Sequence, residues 1–425
     1  MKNICIGLLL VHQLILSVEC INEQFIGDSV YELQTDPKDI KKMKSVNQFM
    51  EDNKLDVWHE FVEDGSKSIC IVRVPKRKQR ALKKFCSSNK IVMKTQIKSL
   101  KKAIDENVKN TVPFWGQFNY RQYNSYSPML RELYRLMICN FGYMKVENVG
   151  WSSEHRPLVI VKLRLPSYKP KPIIWIDAGM HAREWIAPAT AMFMIKKILE
   201  EKNKDGNIKK LLEKFEVWII PMFNPDGYEF SMTENRMWRK TRTRISGSKC
   251  VGIDPNRNFK REWGGIGSSG DACSDVYRGQ CPEEAPCVRA FAQQLRCNQK
   301  RLHAYFSLHS FFQLLLTPNS YTPLPPKDNA EIVKFAFTFQ AGVRKRFGTP
   351  YNIGPASFIS IPHSGNGPDY VHDDLHITNS YIIELRNRNT KIGFLLPPEN
   401  IEPSALETLD GIIDGVFGIT QVRND

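Results

Sequence analysis

The chain has 425 residues, a formal net charge of +15 and 42 % hydrophobic residues, the range of an ordinary globular protein and ample for a large core. Beyond residue 20 no stretch is long and apolar enough to cross a bilayer as a helix. The positive charge comes without a nucleic-acid recognition motif, and solvated surface is the better reading of it.

At the start, Met1-Lys2-Asn3 precedes an apolar run from Ile4 to Val18 and then Glu19-Cys20. The run is short for a span and suits a signal-peptide core, so residues 1–20 read as a signal cleaved after Cys20 and the mature protein as secreted and extracellular. Ten cysteines agree with that compartment. Cys5 and Cys20 leave with the signal, and Cys70, Cys86, Cys139, Cys250, Cys273, Cys281, Cys287 and Cys297 remain. Disulfides are expected of them rather than metal thiolates, because no C-x-x-C spacing occurs among the last four. There is no Asn-x-Ser/Thr sequon, so no N-glycan is expected.

Residues 21–109 are Lys-rich and hold no cluster of catalytic residue types. Ile69 to Val74 is β-branched like a strand, Lys76 to Phe85 is a basic helix candidate, and Ile91-Val92-Met93 is a further strand candidate. This is a small α+β unit, large enough to fold alone. Its end, Lys98 to Lys109, reads as a helical connector with exposed basic sites.

Residues 110–425 alternate apolar strands with helical stretches. Leu158–Val161, Ile173–Ile176, Phe215–Ile220, Ala304–Leu308 and Tyr381–Ile383 are the strand candidates, and Ile208–Lys214 and Pro286–Leu295 lie among the helices. The alternation predicts an α/β fold with a central mixed, largely parallel twisted sheet and helices on both faces.

Four strand ends carry polar residues that an apolar sheet has no structural need for. The strand 173–176 leads through Asp177-Ala178-Gly179-Met180 to His181-Ala182-Arg183-Glu184, just before a helix; open α/β sheets place ligand crevices there. A bare H-x-x-E reads equally as a turn histidine and a helix-capping glutamate. The second strand runs into Asn224-Pro225-Asp226-Gly227, a turn. The third ends in His309-Ser310, and the fourth delivers Glu384 and then Arg386. If these strands share a sheet and a direction, His309 completes a His-Glu-His set for zinc and Glu384 stands opposite as a general base. Between the second and third strands, Glu234 to Arg242 and Asp254-Pro255-Asn256-Arg257-Asn258-Phe259 are dense in the Arg and Asn that recognise carboxylates. Arg242 and Arg244 read better as a salt-bridged surface loop.

Taken together, His181-x-x-Glu184, the Arg239 segment, Asn256-Arg257, His309-Ser310 and Glu384-Leu385-Arg386 resemble the secreted, zymogen-type zinc carboxypeptidases of the A/B family, in family order and over almost the whole chain. The resemblance implies one zinc ion held by His181, Glu184 and His309. It implies Arg239 as the group that polarises the scissile carbonyl, Asn256 and Arg257 as binders of the C-terminal carboxylate, and Arg183 and Ser310 as lining of neighbouring subsites. Glu384 is implied as the base that activates water and passes its proton to the leaving amine, and Cys250–Cys273 as a disulfide. Residues 21–109 then correspond to an inhibitory, ferredoxin-like propeptide and 110–425 to the catalytic domain. A trypsin-like protease is expected to separate them, after Lys109. The expected partners are peptide or protein C-termini, that protease and the chain's own propeptide, with no nucleic acid, no membrane and a monomeric state.

Two positions depart from the family pattern. The mobile loop that in most active relatives offers a tyrosine reads Ser360-Ile361-Pro362-His363-Ser364-Gly365, with Ile361 at the tyrosine position; Tyr351 or Tyr370 are candidate substitutes. Phe311 stands where the family commonly has tyrosine. Basic-specific relatives carry an acidic residue where this chain has Pro368, so an uncharged pocket with aliphatic or aromatic preference is expected, made unusual by His363 and Asn366. A catalytically weak, peptide-binding relative is the competing expectation, resting on Ile361. A zinc amidohydrolase of non-peptide substrates is a third, which Asn256-Arg257 argues against.

Overall fold

A computed structural model of the chain describes residues 22–63, 66–109, 111–113, 115–167 and 169–420. The expected signal, 1–20, and Asn110 lie outside these residues. The N-terminal unit comprises β1 (Ser29–Thr35), α1 (Ile40–Asp52), β2 (Asp56–Glu63), β3 (Lys67–Val74), α2 (Gln79–Ser88), β4 (Val92–Ile97) and α3 (Leu100–Val108). Its four strands form an antiparallel sheet in the order β2-β3-β1-β4. Strand alternation sorts β3 between two cores. Cys70 and Val72 face Val46, Met50, Leu82 and Cys86 of α1 and α2. Ile69 and Ile71 face the other way and join Phe311, Phe312, Leu314 and Phe394 of the large domain in one apolar cluster.

The large domain is built on eight strands: β5 (Met144–Trp151), β6 (Pro157–Leu163), β7 (Ile173–Ala178), β8 (Glu216–Ile220), β9 (Leu302–Ser310), β10 (Leu314–Thr317), β11 (Asn352–Pro355) and β12 (Ser380–Leu385). The sheet order is β11-β10-β12-β9-β7-β8-β6-β5. The four central strands, β12, β9, β7 and β8, run parallel. Every residue of β7 is buried, as expected of a strand covered on both faces. The sheet is mixed because short links force reversals: five residues join β5 to β6 and three join β9 to β10, too few for a parallel crossover. Accordingly β6 is antiparallel to both its neighbours and β10 to β12.

One face is covered by α4 (Tyr126–Cys139), α5 (Ile186–Glu201), α6 (Asn207–Lys214), α9 (Asn329–Phe347) and α10 (Ile401–Thr420), the other chiefly by α8 (Pro286–Cys297). The pair α9–α10 packs backbone against backbone. A Cβ at Gly411 would lie 2.6 Å from Val343 Cγ1, and one at Gly342 2.9 Å from Gly411 Cα. The segment 224–227, expected as a turn, instead starts α7 (Pro225–Thr233): Asn224 caps it by accepting from Gly227 N, with Pro225 in the first turn. Among the described residues no helix is long and apolar enough to cross a membrane.

Candidate active site

Parallel β7, β9 and β12 bring three chemistry-bearing termini together at one sheet edge. Gly179, at φ +74° and 3.0 Å from Met222 Sδ were a Cβ present, turns the chain out of β7. His181 and Glu184 follow. Trp185 occupies the N-cap of α5 without a side-chain cap bond, so Glu184 is not spent on capping. His309 and Glu384 are register partners on β9 and β12.

His181, Glu184 and His309 are all buried, with candidate ligand atoms within 4.8 Å of one another. Glu184 Oε1 lies 2.8 Å from His181 Nδ1, Glu184 Oε2 lies 3.0 Å from His309 Nδ1, and the two Nδ1 atoms are 3.1 Å apart. The far side of each ring settles its tautomer. His181 Nε2 donates to Asp254 Oδ1 at 3.2 Å. His309 Nε2 donates to Ser307 Oγ at 3.0 Å, and that hydroxyl donates to Asp177 Oδ1 at 2.7 Å. Both Nδ1 atoms therefore carry lone pairs aimed at the same point as the carboxylate, a donor set suited to zinc with its outer contacts in place. Burial raises the Glu184 carboxyl, and only positive charge placed beside it, such as protonated His181 and His309, overcomes that and holds it below the usual carboxylate range.

Asp254 is the hub. Fully buried, it accepts from His181, from Asn256 N at 2.9 Å, and from Arg239 Nε and Nη2 at 3.1 and 2.8 Å. Burial opposes its charge, yet Arg239, His181 and Arg257 hold its carboxyl well below the ordinary range. Arg239 Nη1 makes no hydrogen bond among the described residues and is free to meet a ligand. Arg257 is fixed by Gly267 O and Asn256 O, both at 2.8 Å, and Asn256 Oδ1 accepts from Gly367 N. Ser310 acts through its backbone, whose N–H donates to Glu184 Oε2 at 3.2 Å. Among the described residues the Glu384 carboxyl has neither hydrogen bond nor ion pair, and burial pushes it up to about 8. Arg386, by contrast, turns away and pairs with Glu407.

A model of the family described as zinc carboxypeptidase matches residues 136–411. The chain belongs to the zinc carboxypeptidase family. A second family model, the carboxypeptidase activation peptide, matches residues 33–107, so this carboxypeptidase is a zymogen. Mouse carboxypeptidase A2 is 35 % identical over 398 residues, covering 92 % of this chain and 93 % of the relative. Pig carboxypeptidase A1 is 31 % identical over 411 residues, covering 94 % and 96 %. Among solved structures, thrombin activatable fibrinolysis inhibitor superposes with a TM-score of 0.81 at 27 % identity, covering 93 % of this chain and all of that one. The carboxypeptidase A of Helicoverpa armigera superposes at 0.85 and 24 % identity, covering 95 % and 100 %, a likeness of fold.

In this zymogen Arg183 is not open to a substrate. Its Nη1 donates to Asp56 Oδ1 of the activation peptide at 2.8 Å, and its guanidinium lies 4.6 Å over Phe394. Arg236, which sequence reasoning passed over, is the second anchor. It is fully buried, stacked 3.5 Å over Trp185, and its backbone N and Nε donate to Asn22, at the N-terminal end of the described chain, and to Asn107 of the activation peptide. Asp254 was also passed over. In both cases the signal lies in the neighbours, for each sits inside a stretch already marked by Arg239 or Asn256-Arg257.

Ile361 stands on the loop at 36 % exposure. The two proposed substitutes for its missing phenol do not serve. Tyr351 is fully buried, its hydroxyl directed at Glu407, and Tyr370 packs on Phe259 and accepts from Arg296. Asp369, beside Pro368, is buried and spent on Ser320 N and Asn366 Nδ2 at 3.0 and 2.7 Å, and burial pushes it up to about 6. Of the expected disulfides, Cys250–Cys273 forms. Cys70, Cys86, Cys139, Cys281, Cys287 and Cys297 are free thiols. Three of these are buried and pack as small apolar side chains, which is why the even count misled. Arg242 stacks on Phe230 and Trp238 with its side chain only 18 % exposed, more buried than a surface loop residue, whereas Arg244 is exposed.

Proposed function

We propose that the chain is secreted after loss of residues 1–20, is cut after Lys109 by a trypsin-like protease, and as the monomeric domain 110–425 removes single aliphatic or aromatic residues from peptide C-termini. The observation that carries this reading is the Asp254 hub, since one buried carboxylate fixes a metal ligand, Arg239 and the Asn256-Arg257 turn in a single frame. A site for a terminal carboxylate thus stands next to the metal centre, and an internal peptide would leave Arg257 without its anion.

Zinc, when held by His181, Glu184 and His309, supplies a Lewis acid for the scissile carbonyl and acidifies water. Arg239 directs its unpaired nitrogen at the oxygen that gains negative charge; one such donor contributes roughly 3 kcal/mol in comparable acyl-transfer sites. Glu384, without a partner among the described residues, would take the proton of the attacking water and return it to the leaving amine once the positive charge of a bound metal draws its raised carboxyl back to the ionised form. Asn256 and Arg257 hold the terminal carboxylate, Ser310 and Arg183 line the approach once Asp56 has gone, and Ile361 covers the terminal residue. An Asp369 occupied by Ser320 and Asn366 leaves no carboxylate for a basic side chain, which favours an apolar one. Exposed Lys109, just past α3, favours cleavage there.

The second reading, a weakly active peptide binder, rests on Ile361. Trypsin-treated, zinc-loaded protein assayed on blocked dipeptides ending in Phe, Leu, Lys or Arg decides between them, with N-terminal sequencing of the product. Faster release of Lys or Arg would refute the pocket reading. Absence of all hydrolysis, with Ile361→Tyr restoring it, would favour the binder. Within the enzyme, Glu384→Gln should abolish turnover and keep zinc, whereas His309→Ala should lose zinc; zinc loss from the Glu384 variant would reverse the two roles.

A further inference from the structure

The loop that carries Ile361 also carries a polar atom that the proposed reaction leaves unused. Residues 363–367 close on the two side chains proposed to hold the terminal carboxylate. Gly367 N donates to Asn256 Oδ1 at 3.1 Å, and Phe259 N donates to Gly365 O at 2.9 Å. A Cβ at Gly365 would lie 2.5 Å from Arg257 O, and one at Gly267, whose carbonyl fixes Arg257 Nε, 2.9 Å from His363 Cα. Both glycines have positive φ, which lets the loop approach Arg257 this closely. Most polar side chains of the loop are engaged within it. Ser364 Oγ donates to Ile266 O at 3.0 Å, and Asp369 takes up both Asn366 Nδ2 and Asn366 Oδ1, at 2.7 and 2.8 Å. His363 is the exception. Its ring is 6 % exposed, and its Nδ1 lies 2.8 Å from Ile361 O. A carbonyl only accepts, so Nδ1 carries the hydrogen and Nε2 a lone pair. That lone pair has no hydrogen-bond partner among the described residues. It is not sealed in, as Trp175 Nε1 and the Tyr305 hydroxyl are, and so it opens on accessible space. Burial and the guanidiniums of Arg257 and Arg239 push the ring down to about 3 and keep it neutral.

We propose that His363 is a specificity-determining residue, whose Nε2 accepts a hydrogen bond from the side chain of the substrate's C-terminal residue. This rests on the reading above, in which Asn256 and Arg257 hold that residue's carboxylate. A side chain anchored there lies under the loop that packs on Arg257, beside Ile361 and the imidazole. Together these two offer one apolar surface and one acceptor. They suit a residue with an apolar body and a neutral donor at its tip, tyrosine before phenylalanine. A cationic side chain fits poorly, because Arg257 and Arg239 already face the ring. Water can satisfy Nε2 when the donor is missing, since the atom is not sealed, so phenylalanine is released more slowly and not refused.

Trypsin-treated, zinc-loaded protein tests this on benzoyl-Gly-Tyr and benzoyl-Gly-Phe, which differ by one hydroxyl. Wild type should show the higher kcat/KM for the Tyr substrate, by a few-fold to about tenfold, the range of one neutral hydrogen bond. His363→Leu should bring that ratio to one or below, because an apolar lining would bury the hydroxyl unpaired. His363→Gln, whose amide oxygen can stand in for Nε2, should keep part of the preference. A purely structural role for the ring would slow both substrates alike. Calorimetric Kd values for the same pair, measured on the Glu384→Gln protein, give the ratio independently of turnover. A wild type that takes Phe as well as Tyr would overturn the proposal, with no variant needed. So would a His363→Leu protein that keeps the wild-type ratio. Absence of turnover would refute the peptidase reading, and faster release of Lys from benzoyl-Gly-Lys would refute the uncharged pocket; in both cases the Tyr-to-Phe Kd ratio still decides the role of His363.

Discussion

Replacing Asp254 by Asn keeps the volume of the hub and removes its charge. The amide offers one oxygen where the carboxylate offers two, and three donor groups converge on it: His181 Nε2, Arg239 and Asn256 N. If the amide oxygen stays with Arg239, its NH₂ faces the His181 Nε2–H, two donors opposed. The imidazole can relieve this by moving its proton to Nδ1, but Nδ1 is the lone pair the metal needs. If the amide flips, Arg239 loses both its contacts and becomes a buried cation without a partner. Loss of such an outer contact costs 10–100-fold in metal affinity, about 1.4–2.7 kcal/mol. The upper half of that range is expected, because either rotamer leaves one clash. Zinc affinity is to be read by competition with a chelating dye, and folding by Tm at saturating zinc, since an unpaired buried charge can cost several kcal/mol by itself. A folded Asp254→Asn protein whose zinc Kd lies within twofold of wild type would refute the role of the hub.

Ile361→Tyr should lower KM more than it changes kcat, by a few-fold to about tenfold, the worth of one neutral hydrogen bond; steady-state kinetics of the mature enzyme reads it. Gly411→Ala sets two effects against each other. Helix propensity gains about 1 kcal/mol, but a methyl 2.6 Å from Val343 and 2.9 Å from Phe339 costs typically 1–3 kcal/mol of overpacking. The variant should therefore melt lower, and a raised Tm would show that α9 yields. Glu60→Gln addresses pH. Burial pushes Glu60 up to about 7, against the lowering by Asn47. A raised folded pKa stabilises below the unfolded value near 4.5 and loses that contribution as pH climbs through about 7. The variant should thus unfold less readily than wild type at pH 8 and gain nothing at pH 4; equal denaturation midpoints at pH 8 would refute it.

Much of this was legible because parallel strands write themselves as continuous apolar runs and because the site residues follow their ends. Leu302–Ser310 and Ser380–Leu385 could be placed from Ala304–Leu308 and Tyr381–Ile383, and with them His309 and Glu384. Contacts decided by three-dimensional neighbours were not legible. Nothing in Asp254-Pro255 announces a carboxylate shared by a histidine and an arginine. Asp56 and Asn107 meet Arg183 and Arg236 across 127 and 129 residues. Cysteine parity failed for a related reason, since pairing depends on distance between sulfurs and the sequence records only their number.

The apolar seam between the two domains bears on how the enzyme is released. Phe25, Trp58, Ile71, Leu100 and Ile104 share one cluster with Met237, Phe311 and Phe394. Under the proposed hydrolysis after Lys109, the tether would be severed while that seam and the Asp56–Arg183 pair stay intact. While the tether stands, the activation peptide is held at an effective concentration in the millimolar range typical of short linkers. Afterwards it is a separate molecule whose occupancy follows its own Kd and the concentration of the protein. If the proposed cut is made in a concentrated store, the peptide should stay bound as a stoichiometric complex, with activity emerging when that complex is diluted or its peptide cut again. The cleavage site starts a clock, and the width of the seam sets how long it runs.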